Sequence, residues 1–190
     1  TLNAAINSTA ELEERGGRMI TVGNSTEAAL LRWLHRAGLD YHVMRLHNPV
    51  VSQDFFTSKT KQMATVIKKD GRLLYLVKGA PEIIGSRCFP APDMSQIHHL
   101  AGRAMRTLAF AHGELNDGED HPSVLTWDGY VGIRDEVRPD VARSVEICNQ
   151  AGITVKMVTG DSPETAASIA RETGILSTGL IMTGPEFREL

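Results

Sequence analysis

The sequence predicts an α+β fold: helices and antiparallel strands over residues 1–122, followed by a β–α–β–α segment over residues 123–190. Two observations indicate this division. The stretch "MATVIKKDGRLLYLV" consists of two strand-like runs around Asp70-Gly71, a dipeptide typical of hairpin turns. Beyond the polar stretch "NDGEDHPS" the pattern becomes strand, helix, strand, helix, which is typical of a parallel α/β unit with right-handed crossovers. We therefore place a domain boundary at that polar stretch.

The first region opens with two predicted helices. "TLNAAINSTAELEERGG" predicts a helix that ends at Gly16-Gly17. "VGNSTEAALLRWLHRAGL" predicts a stronger helix, because Asn24 is a good N-cap and Glu27 stands three residues later, as in a capping box. Gly38 ends this helix. Its buried stripe is predicted to consist of Leu30, Leu31, Leu34 and Ala37.

The remaining elements follow along the chain. "GAPEIIGSRC" predicts a short helix with Pro81 in its first turn, "DMSQIHHLAGRAM" a further helix, and "RTLAFAHGEL" an antiparallel strand. In the second region "TWDGYVGIRDEV" and "ITVKMVTGD" are the predicted strands, and "RPDVARSVEICNQAG" and "SPETAASIARETG" the predicted helices. We expect Met63–Ile67 to pair antiparallel with Leu73–Val77, and Ile153–Val158 to lie in a separate parallel sheet.

Composition excludes several classes of function. The chain has 190 residues, enough for one sizeable domain or two small ones. A net charge of −3 argues against a general role in binding nucleic acid or membrane surfaces. No apolar run approaches the roughly 20 residues that a membrane helix needs. Cys88 and Cys148 have no metal-binding or redox spacing and favour a reducing, cytosolic compartment.

Candidate binding residues gather in the aromatic and basic stretch "QDFFTSKTKQMATVI". Phe55 and Phe56 precede a predicted strand that carries Lys59, Lys61 and Met63 on one face. An aromatic ring beside a thioether and an ammonium could hold a flat base and the start of a phosphate chain. The alternative is a core phenylalanine beside a solvated strand edge, where lysines discourage pairing. Spacing alone favours the alternative.

Two further stretches carry a functional and a structural interpretation. Lys78 stands at the end of a strand, and Gly79 and Ala80 behind it leave room for a ligand near the backbone. The alternative is an exposed lysine at a strand terminus. Arg106 and Leu108 share a strand face, which indicates either a charge beside an apolar platform or an arginine packed along its own stem.

Glu27 and the loop "TGDSPE" also carry two interpretations. Glu27 is either the capping-box partner of Asn24 or a carboxylate at the rim of a pocket. Thr159, Gly160 and Asp161 join an apolar strand to the start of a helix. Free backbone N–H groups and the positive helix end at such a turn favour an anion such as a phosphoryl group.

In their order, these stretches resemble successive motifs of P-type cation-transporting ATPases, in particular the type II, calcium-pump-like branch with its plasma-membrane and bacterial members. The motifs are "GNSTEAALL", "FFTSKTKQMATVI", "LVKGAPEIIGSRC", "MRTLAFA", "GIRDEVRPDV" and "AGITVKMVTGDSPETAASIA". The resemblance runs over essentially the whole chain. It implies a nucleotide-binding domain over residues 1–122, built as a twisted antiparallel sheet flanked by helices. Part of a haloacid-dehalogenase-like phosphorylation domain is implied over residues 123–190.

The resemblance also implies residue roles: Glu27 beside the adenine, Phe56 stacked on it, and Lys78 deep in the pocket. The residues implied to bind ATP are Glu27, Phe56, Lys61, Met63, Lys78, Gly79, Arg106 and Leu108. Those implied to form the phosphoryl loop and the hinge between domains are Thr159, Gly160 and Asp161, and Asp135 and Arg138. No metal ligand is implied within the chain.

In that family the γ-phosphoryl group of ATP passes to an aspartate of an Asp-Lys-Thr-Gly-Thr motif, with Mg²⁺ neutralising charge. The sequence contains neither that motif nor the family's Gly-Asp-Gly-x-Asn-Asp motif. The resemblance therefore implies a fragment on the cytoplasmic side of a multi-pass membrane pump, which binds ATP but does not turn it over alone. Its implied partners are ATP and the rest of the pump, and not nucleic acid. Calcium as the transported ion rests on the resemblance.

Two alternatives remain. A cap-containing phosphatase fragment of the haloacid-dehalogenase type would need an Asp-x-Asp nucleophile motif, which the sequence lacks. A non-catalytic nucleotide-binding module is compatible with the sequence.

Overall fold

A computed structural model of the chain describes residues 1–101, 105–116, 118–134, 137–159, 163–177 and 179–189. Within these residues the helices are α1 (Leu2–Ile6), α2 (Ser25–Arg36), α3 (Tyr41–His47), α4 (Pro81–Gly85), α5 (Ser95–Ala101), α6 (Val141–Gln150), α7 (Pro163–Glu172) and α8 (Gly184–Arg188). The strands are β1 (Glu11–Arg15), β2 (Arg18–Val22), β3 (Val50–Asp54), β4 (Gln62–Lys69), β5 (Arg72–Gly79), β6 (Arg106–Leu115) and β7 (Thr126–Ile133).

Five of these strands form one sheet in the order β3-β4-β5-β6-β7. β4 pairs antiparallel with β3 and with β5, and β5 pairs antiparallel with β6. The β4–β5 hairpin turns at Asp70-Gly71, whose φ values of 49° and 80° are those that a two-residue hairpin turn requires. Ile67 pairs with Leu74 across this hairpin. The predicted antiparallel pairing of the two runs is therefore confirmed.

The sheet has a hydrophobic core on each face. Since successive side chains of a strand point to opposite faces, Leu76 and Val77 of β5 enter different cores. Leu76 packs with α1, α2 and α3, where Leu31 and Leu34 are completely buried. Each such leucine stabilises the fold by about 1.5–3 kcal/mol. Val77 packs with Ile84 of α4 in the other core. The predicted fold class, an antiparallel sheet flanked by helices, is confirmed.

The N-terminal segment differs from its prediction. The predicted helix that ends at Gly16-Gly17 is wrong, because α1 ends at Ile6 and β1 pairs antiparallel with β2 in a separate hairpin. Gly16 and Gly17 have φ values of 58° and 73°, which a two-residue turn between strands needs. The second predicted helix is confirmed as α2, with Asn24 as its N-cap, but Ala37 of its predicted buried stripe is exposed at the C-cap.

The chain divides into two compact units. We call the first, Thr1–Met94 with Thr107–Ile133, the sheet unit, and the second, Ser95–Arg106 with Arg134–Leu190, the helical unit. The prediction that "TWDGYVGIRDEV" begins a parallel α/β unit is wrong, because β7 lies beside β6 in the five-stranded sheet. The assignment of residues 1–122 and 123–190 to two functional domains stays a prediction.

The helical unit contains the two predicted helices as α6 and α7, and α7 begins at Pro163. The predicted strand Ile153–Val158 is wrong, since these residues lie outside any strand and Val158 is 97% exposed. A strand needs a neighbour to satisfy its N–H and C=O groups, and the described part of the chain places none beside this segment. No described helix combines the length and the apolar character needed to cross a membrane.

Candidate functional site

An ion pair between α2 and β5 lies buried at one end of the five-stranded sheet. The Nζ atom of Lys78 is 2.8 Å from Oε1 of Glu27, and the two residues are only 4% and 7% exposed. Met63 of β4 and Phe110 of β6 are the cross-strand partners of Lys78. Partners across a sheet place their side chains on the same face. The structure therefore brings three predicted site residues together: Glu27, Met63 and Lys78.

The carboxylate of Glu27 does not form the predicted capping box. The Asn24 side chain accepts hydrogen bonds from the N–H groups of Thr26 and Glu27. The Glu27 carboxylate instead accepts at Oε2 from the N–H of Thr9 at 2.7 Å, from the Thr9 hydroxyl at 2.8 Å and from the Ser8 hydroxyl at 3.3 Å. The capping-box interpretation of Glu27 is therefore wrong, because its carboxylate serves the buried pair.

Lys78 is not an exposed lysine at a strand end. Besides the bond to Glu27, its ammonium donates to the main-chain oxygen of Asn7. Lys78 lies on β5 and Glu27 on α2, and the segment after α1 provides the uncharged groups that hydrogen-bond to them. Three segments that are distant in sequence thus meet at one buried charge pair.

Burial and pairing act in opposite directions on the two groups. Burial raises the pKa of Glu27, but the charge and hydrogen bond of Lys78 and the two hydrogen bonds of Thr9 outweigh it, so that this pKa lies below its ordinary value. Burial lowers the pKa of Lys78, and the charge and hydrogen bond of Glu27 offset only part of that effect. Removing either partner would leave the other charge buried without its counter-ion.

The phenylalanines and lysines before β4 lie in an exposed loop. Phe55 and Phe56 are 64% and 56% exposed. β4 begins at Gln62, so Lys59 and Lys61 are not strand residues and the predicted shared face with Met63 is wrong. Lys61 has a φ of 51°, and its N–H donates to the carbonyl oxygen of Thr57 at 2.8 Å. The turn replaces the first residues of the predicted strand.

Gly79 is needed by the sheet itself. A Cβ at this position would lie 2.4 Å from the carbonyl oxygen of Lys61 and 2.8 Å from Cα of Gln62. The same Lys61 oxygen accepts a hydrogen bond of 2.9 Å from the N–H of Ala80. The start of β4 therefore occupies the space on the Cβ side of Gly79, and the implied contact of Gly79 with ATP stays a prediction.

The other predicted residues lie on β6 or in the helical unit. Arg106 is the exposed first residue of β6, and Leu108 is half-buried against the core that contains Leu76. Thr159 and Arg138 are exposed. The remaining predicted residues, Gly160 and Asp161 of the loop and Asp135 of the hinge, lie outside the described residues.

Sequence reasoning missed the polar residues around the pair, which are Asn3, Asn7, Ser8, Thr9 and Thr65. Asn7 is completely buried; its amide donates to the main-chain oxygens of Met63 and Leu76, and its side-chain oxygen accepts from the Thr65 hydroxyl. Asparagines inside the apolar stretch "LNAAINST" are the signal that could have found them, since a buried polar group needs a partner.

A separate cavity of about 510 Å³ opens on the sheet unit. Its lining includes Trp33, Lys69, His112 and Asp128, and none of the predicted site residues. The Nδ1 atom of His112 lies 2.6 Å from Oδ1 of Asp128. Among the described residues, no group of three or more His, Cys, Asp or Glu side chains is placed to bind a metal ion.

Two family models match the chain: P-type ATPase, cytoplasmic domain N, over residues 1–90, and haloacid dehalogenase-like hydrolase over residues 76–183. Several similar proteins are named calcium-transporting ATPases. The calcium-transporting ATPase PAT1 of Dictyostelium discoideum is 40% identical, over 98% of this chain and 19% of that protein. Plasma membrane calcium-transporting ATPase 4 of Bos taurus is 38% identical, over 94% of this chain and 17% of that protein.

A bacterial relative is also similar. The calcium-transporting ATPase of Bacillus subtilis is 32% identical, over 100% of this chain and 24% of that protein. The chain therefore spans about a fifth of the length of these curated relatives.

Proposed function

The chain belongs to the haloacid dehalogenase-like hydrolase family, and because its residues 1–90 match the N domain of P-type ATPases, we propose that its sheet unit binds ATP for a calcium-transporting P-type ATPase. The chain then lies on the cytoplasmic side of a multi-pass membrane pump, and the remainder of that pump is its partner. Calcium enters the proposal through the names of the relatives.

The observation that carries the proposal is the hydrogen-bonding capacity left in the Glu27–Lys78 pair. An ammonium donates three hydrogen bonds, and the described partners of Lys78, Asn7 and Glu27, take two of them. Oε1 of Glu27 accepts one bond and has a second lone pair. A donor and an acceptor 2.8 Å apart fit the adenine edge, where an amino group lies next to an accepting ring nitrogen.

Phe56 supplies the surface on which the base stacks. Its ring is more than half exposed, and the loop that carries it ends at Lys61, whose carbonyl oxygen is hydrogen-bonded to Ala80 just beyond β5. Stacking of a base on an aromatic ring is worth about 1–3 kcal/mol. Lys61 and Arg106 are exposed cations that would contact the phosphate chain.

In the intact pump, these contacts to the adenine would position ATP for the reaction. Contacts to the remote adenine hold the γ-phosphate in place, and the γ-phosphoryl group passes to an aspartate outside this chain. Mg²⁺, bound with the nucleotide, would neutralise the charge that develops. Within the chain, Thr159, Gly160 and Asp161 are proposed to form the loop that contacts the phosphoryl group once it is on that aspartate, and Asp135 and Arg138 to form the hinge.

The proposal is tested by titrating ATP into the chain while amide chemical shifts are followed. We expect shifts to cluster at Glu27, Phe56 and Lys78, while Thr159 moves little because its phosphoryl partner is missing. Phosphate release should stay at background. Shifts confined to Trp33 and His112 would place the nucleotide in the separate 510 Å³ cavity and overturn the proposed site. Sustained phosphate release from the pure chain would contradict the proposal that the aspartate accepting the phosphoryl group lies outside this chain.

A further inference from the structure

Arg45 of α3 holds the segment that follows α1. Its guanidinium donates to the main-chain oxygens of Ala5 at 2.9 Å, Ser8 at 3.2 Å and Ala10 at 3.1 Å. A fourth bond of 2.5 Å joins it to the carboxylate of Glu11. The planar guanidinium fork can donate in several fixed directions at once, which a lysine ammonium on its flexible stem cannot reproduce.

One of these bonds leads directly to the Glu27–Lys78 pair. The carbonyl of Ser8 and the N–H of Thr9 belong to the same peptide unit, and a peptide unit is planar and rigid. Arg45 holds the oxygen end of this unit, and the N–H end donates to Oε2 of Glu27 at 2.7 Å. A cation on the carbonyl also polarises the unit and strengthens its N–H as a donor.

We propose that Arg45 is a positioning residue of the candidate nucleotide site, which acts through the Ser8–Thr9 peptide to hold the Glu27 carboxylate against Lys78. This inference rests on the proposed function. Arg45 itself lies on α3 and need not contact the nucleotide. The competing interpretation is that Arg45 only stabilises the packing of α3 on the N-terminal segment.

Arg45→Lys is the test variant, because it keeps the positive charge and removes the fork. We expect ATP to bind about threefold to tenfold more weakly, the range that corresponds to the loss of one hydrogen bond. The Thr9 amide proton should move upfield in the absence of nucleotide, since its bond to Glu27 weakens. A purely structural role would lower the unfolding temperature without this shift at Thr9.

Glu11→Gln is the matched control, because it removes the carboxylate partner of Arg45 and leaves the bond to the Ser8 carbonyl in place. It should change neither ATP affinity nor the Thr9 amide. Thr9→Val tests the premise that the hold on the Glu27 carboxylate affects ATP binding, since it removes the hydroxyl bond to Oε2 of Glu27 and keeps the N–H bond; it serves if Arg45→Lys fails to fold. We expect about a threefold loss of affinity.

The outcomes separate the two proposals. If the unaltered chain shows no ATP-dependent shifts, the proposed function is overturned. If the unaltered chain binds ATP and Arg45→Lys binds it equally well, the inference about Arg45 is overturned and the proposed function stands. Weaker binding with an unchanged Thr9 amide also overturns the inference, as does unchanged affinity in Thr9→Val. Weaker binding together with the Thr9 shift supports it.

Discussion

In the sheet unit every strand has a neighbour, whereas in the helical unit the apolar segment Ile153–Val158 lies outside any strand. The consequence is visible in burial: Ile67 of β4 is completely buried, while Val158 is almost completely exposed. Both β4 and Ile153–Val158 have the composition of a buried strand. The difference teaches that such a pattern gives a strand only where the chain supplies a partner for its backbone groups.

The units also differ in their charges. The sheet unit contains the buried Glu27–Lys78 pair, whereas the ion pair described in the helical unit, Arg134 with Glu172, lies at partly exposed positions. Charge pairs in the interior are strongly coupled, and exposed pairs are screened by water. We therefore expect substitutions in the sheet unit to have the larger effects.

The largest effect is expected for Glu27→Gln, which leaves the Lys78 ammonium buried without a counter-ion. It should lower the free energy of unfolding of the sheet unit by about 3–5 kcal/mol. Urea unfolding followed by tryptophan fluorescence measures this unit, because both tryptophans, Trp33 and Trp127, lie in it.

Glu13→Gln is the control for this prediction. It breaks an exposed pair with Arg15 and should change the free energy by less than about 1 kcal/mol. The double variant Glu27→Gln, Lys78→Met should recover part of the loss, since it removes the uncompensated charge. Equal losses in Glu13→Gln and Glu27→Gln would contradict the buried pair.

Gly79→Ala should destabilise the sheet unit by about 1–3 kcal/mol, the usual range for forcing extra atoms into a packed site. The added Cβ would meet the Lys61 carbonyl at 2.4 Å, so the start of β4 must move. The same urea experiment measures it. Gly184→Ala in the helical unit, where a Cβ meets nothing within 4 Å, should leave this transition unchanged. A neutral Gly79→Ala would show that β4 does not approach β5 as described.

The acid stability of the sheet unit should depend on Glu27. Its pKa in the folded chain lies below the ordinary 4.5, so its contribution is fully present above that pH and is lost as the pH falls through the lower folded value. The urea midpoint of the unaltered chain should therefore fall more between about pH 5 and pH 3 than that of Glu27→Gln. Parallel declines in the two proteins would mean that Glu27 is not held as described.

The smallest effect is expected for Val158→Ala in the helical unit. An exposed side chain with few contacts should change stability by less than about 0.5 kcal/mol, measured by loss of helical circular dichroism. Ile67→Val, the counterpart in the sheet unit, should cost about 0.5–1.5 kcal/mol. A larger effect at Val158 than at Ile67 would reverse the comparison between the units.

Local signals in the sequence were sufficient for two elements that depend on neighbours in the chain, but not for the β1–β2 hairpin, which was predicted as a helix. Asp70-Gly71 predicted the β4–β5 hairpin, and Asn24 with an apolar stripe predicted α2. The placement of β7 beside β6, and the lack of a strand beside Ile153–Val158 among the residues that the structure describes, depend on which strands meet in space. No local pattern contains that information.

The candidate site, too, could be predicted from the sequence only in part. Glu27 and Lys78 were recognised as separate motifs, but their pairing joins residues 51 positions apart. The bond from Thr9 to Glu27 spans 18 positions and that from Lys78 to Asn7 spans 71. Thr9 and Asn7 were missed because a threonine or asparagine after a helix is usually solvated, and only the folded chain shows that Asn7 is buried and that Thr9 bonds to Glu27.

The central claim is that the buried pair and the Phe56 ring together hold the adenine of ATP. Calorimetric titration of ATP into the full 190-residue chain, compared with Phe56→Ala and Phe55→Ala, tests it most directly. We expect a Kd on the order of 0.1–1 mM, or about 4–5.5 kcal/mol, for the unaltered chain. Phe56→Ala should weaken binding by about 1–3 kcal/mol, and Phe55→Ala, which removes an exposed neighbouring ring, should leave it unchanged. Equal affinity in all three proteins, or a loss in Phe55→Ala alone, would contradict the account.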